Sequence, residues 1–89
     1  MTIKYTSQFK KDYKRMQRQK KDLQKLRLVI QTLANAQTLD IHYHDHPLSG
    51  NWRGYRDCHL EPDWVLIYKV EEDVLTLARM GSHAELFKK

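Results

Sequence analysis

"HLEPDWVLIYKV" (residues 59–70) decides how this chain is read. From Trp64 to Val70 the run is almost wholly apolar, as in a central strand covered on both faces. Just ahead stand His59, Glu61 and Asp63, which carry protons and charge and which a core has no use for. Pro62 fixes its own backbone and restrains Glu61, so "EPD" is a tight connection into that strand. "YRDCHL" (55–60) precedes it as a strand, and "VLTLARM" (74–80) follows the "EED" turn (71–73) as another. A buried strand is a rigid platform, and its mouth is where reactive groups are best held.

Working towards the N-terminus, "DIHYHDHPLSGNWRGYRD" (40–57) mixes aromatics with Pro47, Gly50 and Gly54. It implies an extended segment, a loop at "PLSGN" (47–51) and a strand beginning near Arg53 or Tyr55. "TIKYT" (2–6) alternates and is rich in β-branched and aromatic residues, the pattern of a short first strand. Thr6 or Ser7 then caps a helix carrying Phe9, Tyr13 and Met16 at helical spacing. "RQKKD" (18–22) interrupts it. A second helix starts near Asp22 with Leu23, Leu26, Ile30 and Leu33 on one stripe, and "NAQTLD" (35–40) ends it. Gly81 stops the last strand, and "SHAELF" (82–87) is at most a helical turn capped by Ser82. The predicted fold is α+β: an N-terminal strand, a two-helix hairpin packed on an antiparallel sheet of about four strands, and a short C-terminal helical turn.

The 89 residues fit one domain over 1–89, with a modest core. There is no Gly-rich phosphate loop, no dinucleotide fingerprint, no apolar run of membrane length and no signal peptide. The lone cysteine, Cys58, has no internal partner and suits a reducing compartment, so a cytoplasmic location is expected. The formal charge is +5. Its excess is concentrated: Lys10, Lys11, Lys14, Arg15, Arg18, Lys20, Lys21, Lys25 and Arg27 face only Asp12 and Asp22 in the same stretch. Such a field attracts a polyanion such as nucleic acid, or an acidic protein partner.

A three-residue turn at Glu71–Asp73 would pair Val70 with Val74 and set Val65 opposite Arg79. On that register His59, Asp63, Arg79 and His83 gather at one end of the sheet, with Glu61 close by. A one-residue slip would turn the side chains to the other face but leave the strand ends convergent. Two histidines, a carboxylate and an arginine suffice for phosphodiester cleavage: one group takes the proton of a 2′-hydroxyl, another gives one to the leaving oxygen, and the arginine neutralises phosphate charge. "HYHDH" (42–46) supports a rival reading. On a strand His42, His44 and His46 share a face and could bind zinc or another metal, although no second cluster supports it.

"DHPLSGNWRGYRDCHLEPDWVLIYKV" (45–70) and "LARMGSHAELF" (77–87) resemble the YafQ branch of the RelE/ParE toxin superfamily. The residues up to position 44 match only in layout. The resemblance implies a type II toxin–antitoxin toxin, a ribosome-dependent endoribonuclease that cuts mRNA in the ribosomal A site without metal or cofactor. It implies as partners a DinJ-like antitoxin, forming a complex that binds its own operator, and the 70S ribosome with its mRNA, but no membrane. By matching motifs, His46, His59, Asp63 and His83 would supply acid–base groups, Arg79 would steady the phosphate, and Trp64 and Phe87 would place the RNA. Lys10, Lys11, Lys14, Arg15, Arg18, Lys21 and Lys25 would meet ribosomal RNA. His42 and His44 fall outside the motif and receive no role. The alternatives on the same scaffold are a ParE-like gyrase poison and a non-catalytic RNA-binding module, neither of which needs the polar cluster.

Overall fold

The structure, a computed structural model, describes residues 1–87. Lys88 and Lys89, expected to add a backbone contact or solubility, lie outside the described residues. The chain runs β1 (Thr2–Tyr5), α1 (Ser7–Arg18), α2 (Leu23–Ala34), a 3₁₀ turn (Ile41–Tyr43), β2 (His46–Pro47), a second 3₁₀ turn (Gly50–Trp52), β3 (Arg56–Glu61), β4 (Trp64–Glu71), β5 (Val74–Gly81) and α3 (His83–Phe87). The strands form one five-stranded sheet in the order β1-β5-β4-β3-β2. β4 is central, as its apolar run requires, and Trp64 through Tyr68 are all buried.

The sheet is mixed rather than purely antiparallel. β1 pairs with β5 in parallel, while the other three pairings are antiparallel. The helical hairpin between β1 and the rest of the sheet makes this possible, because a parallel neighbour needs a long crossover. Thr6 ends β1 and opens α1. Its Oγ1 accepts the Phe9 N–H at 3.0 Å and donates to Ala78 O at 2.7 Å, so one hydroxyl caps the helix and ties it to β5. Asp22 caps α2 through the Gln24 N–H. Phe9 and Met16 of α1 and Leu26, Val29 and Leu33 of α2 pack on Trp64, Leu66, Tyr68, Leu75, Leu77 and Met80. The opposite face carries a smaller cluster: Val65, Ile67, Ala78 and Leu86, with Leu48, Trp52, Tyr55 and Phe87 against them.

The register at the β4–β5 turn differs from the sequence expectation. Glu71 pairs with Val74, so the turn is the two residues Glu72 and Asp73, at φ 50° and 63°. Positive φ at both centres is the two-residue hairpin geometry that matches strand twist, reached here without the usual glycine. A bulge between Ile67 and Tyr68 then adds a residue to β5, so Val65 meets Gly81 and Arg79 meets Ile67. The shorter turn and the bulge offset one another in facing: Arg79 still shares a face with Val65, but two positions away.

Asp12, fully buried on α1, fastens the helix to β5. It accepts from Arg79 Nε and Nη2 (3.1 Å each), Arg15 Nη1 (2.9 Å) and the Met80 N–H (3.0 Å). Arg15 in turn donates to Met80 O at 3.0 Å and makes an ion pair with Glu85 of α3 at 3.0 Å. Beyond the end of β1, side chains of α1 thus satisfy β5 backbone groups that no strand pairs. Gly81 lets this happen: a Cβ there would stand 2.9 Å from both Arg15 Nη2 and Glu85 Oε1.

Candidate active site

One open hollow of about 700 Å³ lies at the mouth of β4. Its polar wall is His46, Asp57, His59, Asp63 and His83, and its apolar wall includes Leu48, Trp52 and Phe87. These five groups arrive from four parts of the fold: β2, β3, the β3–β4 turn and α3. His46 and Asp57 are direct cross-strand partners on β2 and β3. His59 follows Asp57 by two positions, so both point to the same face of β3. Asp63 sits in the turn between β3 and β4. His83 opens α3, where Ser82 and Glu85 form a reciprocal capping box: Ser82 Oγ accepts from the Glu85 N–H at 3.1 Å, and Glu85 Oε1 accepts from the Ser82 N–H at 2.8 Å.

The imidazoles form a contiguous cluster. The His59 ring centre is 5.1 Å from that of His83, 5.6 Å from that of His44 and 6.4 Å from that of His46. Asp63 Oδ1 accepts from both the backbone N–H and the Nδ1 of His83, at 2.9 and 2.7 Å. Those two bonds, the backbone one first, hold the Asp63 carboxyl below the usual carboxylate range. An ionised acceptor requires a proton on His83 Nδ1, which leaves Nε2 as the nitrogen available to a substrate. His46 is fixed similarly: its Nδ1 lies 2.8 Å from His44 O, and a carbonyl can only accept. His44 reaches that position with a left-handed backbone, φ 51°. Asp45, beside it, accepts from Tyr68 Oη at 2.7 Å and Arg56 Nε at 3.1 Å, which anchors the approach to β2 on the sheet. Burial pushes His59 below the ordinary histidine range, opposed by the charge of Asp57.

The structure brings His46, His59, Asp63, His83 and Phe87 together, the Phe87 ring centre lying 6.2 Å from that of His83. It places Arg79 and Trp64 elsewhere. The Arg79 guanidinium faces Asp12, outside the hollow. Trp64 is 1% exposed and packs with Leu66 and Tyr68 beneath the helices, because alternate residues of β4 face alternate sides. Glu61 belongs to neither group. It accepts from Lys25 Nζ at 3.0 Å, with Lys21 Nζ at 3.7 Å, and ties α2 to the end of β3. Lys10, Lys11, Lys14 and Arg18 are exposed on α1, whereas Arg15 turns inward to Asp12 and Glu85. His42 bonds to Asp40 at 2.7 Å, and among the described residues no three His, Cys, Asp or Glu side chains are grouped to hold a metal ion. Asp57, Leu48 and Trp52 were missed from sequence. Strand alternation from His59 is the signal that points to Asp57.

A family model described as "Bacterial toxin of type II toxin-antitoxin system, YafQ" matches residues 1–88. The chain belongs to the YafQ family of bacterial toxins. The match takes in the first half of the chain, where the motif resemblance was one of layout alone. The mRNA interferase toxin YafQ of Escherichia coli K12 is 48% identical over 86 residues, covering 96% of this chain and 94% of the relative. The E. coli DinJ–YafQ toxin–antitoxin complex contains a chain with TM-score 0.88 and 48% identity, covering 96% of this chain and 94% of that one. A metal-bound toxin from Helicobacter pylori superposes with TM-score 0.91 at 43% identity, covering 98% and 99%. Among the described residues of the YafQ-family chain, no helix is long and apolar enough to cross a membrane.

Proposed function

We propose that this chain is an mRNA interferase: a single toxin domain that cuts mRNA held in the ribosomal A site and is restrained by a DinJ-like antitoxin. The observation that carries the reading is the imidazole cluster, with two rings held at Nδ1 by fixed acceptors and a third between them. In the proposed reaction a neutral imidazole takes the proton of the 2′-hydroxyl, whose oxygen attacks the adjacent phosphorus. A protonated imidazole gives its proton to the departing 5′-oxygen. The products are a 2′,3′-cyclic phosphate and a 5′-hydroxyl end. The step balances with no metal or redox partner.

Asp63 sets the tautomer and orientation of His83, so it acts through that ring. Phe87 and Trp52 offer aromatic faces for the bases flanking the cut. Charge building on the phosphate is met by imidazolium, because Arg79 is engaged by Asp12; Arg79 and Trp64 serve the site by fixing β5 and β4 beneath it. The exposed basic face of α1 meets ribosomal RNA phosphates. Ribosome and substrate put the protein in the cytoplasm, consistent with a buried thiol that burial pushes up and leaves unreactive.

The test uses purified protein and ribosomes programmed with mRNA carrying one 2′-deoxynucleotide at the cut position. The account predicts cutting of the all-ribose message to a cyclic phosphate end and none at the deoxy position. Cutting at the deoxy position would exclude 2′-hydroxyl attack.

A further inference from the structure

Asp57 is 2% exposed, yet it belongs to the wall of the hollow and not to the interior packing. Its Oδ1 is buried without a hydrogen bond. His46 Nδ1 stands 3.1 Å away, but its hydrogen is directed at His44 O, so the contact is not an aligned hydrogen bond and becomes an ion pair only when the ring is protonated. Burying a carboxylate with an unmet oxygen costs stability unless a charge faces it. Here three imidazoles face it, from three elements: His46 on β2, His59 on β3 and His83 on α3. Asp45, before β2, acts on it as a like charge, and the Asp63 carboxylate lines the same hollow.

We infer that Asp57 is a positioning residue of the reaction, the buried counter-charge that keeps one proton within the His46–His59–His83 cluster. The inference rests on the ribonuclease reading of that cluster. Its chemical content is a shared proton. Burial favours a neutral Asp57 with a neutral His59; mutual attraction favours a carboxylate with one imidazolium. The two opposed tendencies appear on both sides. Asp57 is held above the usual carboxylate range by burial, with His46, His59 and His83 pulling it down, while His59 is held below its usual range by burial, with Asp57 pulling it up. The pair therefore titrates as a unit. A reaction that needs one imidazole with a proton and one without is served by a fixed charge that sets the proton count of the cluster.

An opposite charge within about 4–6 Å displaces a titration by roughly 1–3 units, and the open hollow puts this case near one. Asp57→Asn keeps the shape and removes the charge. Histidine Cε1–H resonances followed by NMR are then expected to show His59 titrating about one unit lower than in the native protein. Single-turnover cleavage on programmed ribosomes is expected to lose its alkaline limb about one unit earlier, since the group that must hold a proton now releases it sooner. The rate at neutral pH falls roughly tenfold and recovers as the pH is lowered. Asp57→Glu, which restores the charge, returns the limb towards its native position; Asp57→Ser provides a second uncharged variant. An unchanged His59 titration overturns the inference. So does a rate loss equal at every pH, the mark of a purely structural role. Failure of the ribonuclease reading shows itself separately, as native protein that leaves mRNA uncut while the NMR comparison still reports on the charge.

Discussion

Asp12→Ala tests the joint between the helices and the sheet. Asp12 is fully buried and receives Arg79 through two donors, Arg15 through one and the Met80 backbone through another. Truncation leaves the Met80 N–H unpaired and strands Arg79, while Arg15 keeps Glu85 and the Met80 carbonyl. Removing one partner of a buried ionic network typically costs about 3–5 kcal/mol. The Arg15 and Arg79 side chains keep 24% and 22% exposure, so each recovers some hydration and the loss falls near the lower bound, about 3 kcal/mol. A chain of this size has a total stability of roughly 4–13 kcal/mol. With about 4–8 °C per kcal/mol in a small domain, the melting temperature drops by about 12–24 °C. Circular dichroism melting reads it. Acid sharpens the test. Burial alone would raise the Asp12 carboxyl, but the hydrogen bonds from Arg79, Met80 and Arg15 outweigh it and leave it below its ordinary value. A depressed carboxylate stabilises the fold above its unfolded-state value and loses that contribution as the pH falls through the folded value. Native protein is thus expected to lose melting temperature below about pH 4 more steeply than the variant. An Asp12→Ala protein melting within about 4 °C of native at neutral pH would refute the reasoning.

The site yields further expectations. His83→Ala slows single-turnover cleavage by roughly 10²- to 10⁴-fold and leaves melting and antitoxin pull-down intact, because the side chain is 47% exposed and leaves no core cavity; a folded variant that cuts at the native rate removes His83 from the site. Charge reversal at Lys11, Lys14 and Arg18, all exposed on α1, weakens ribosome binding and flattens its salt dependence; unchanged affinity and slope would assign that face to another partner. EDTA leaves cleavage intact, and activity lost on chelation and restored by zinc would overturn the metal-free step.

What could be read from sequence followed the strength of the local signal. The Trp64–Val70 run marked a central strand because consecutive apolar residues need cover on both faces, which Trp64 to Tyr68 receive while Val70 at the end stays exposed. Thr6, Asp22 and Ser82 marked helix starts because short polar side chains satisfy orphan N–H groups. The hairpin turn was not legible: Glu72 and Asp73 adopt positive φ without glycine, held by the strand pairing on either side. Nothing local announced the bulge at Ala78 or the parallel partnership of β1, which are products of tertiary packing. The convergence of His59, Asp63 and His83 was legible because it depends on strand ends meeting, which a register slip preserves. Arg79 and Trp64 escaped because their destinations depend on α1, the element whose docking sequence motifs described least. Asp57 was within reach by strand alternation from His59, but an aspartate beside a cysteine in a strand carries no motif of its own.

The most direct measurement is a transcriptome-wide map of mRNA 5′ ends after brief induction of the native chain and of His83→Ala in cells. The account predicts new ends within coding regions, in a fixed phase with the reading frame, in the native sample alone. Intact messages accompanied by DNA breaks would contradict it, and would assign the scaffold to gyrase poisoning instead of mRNA cleavage.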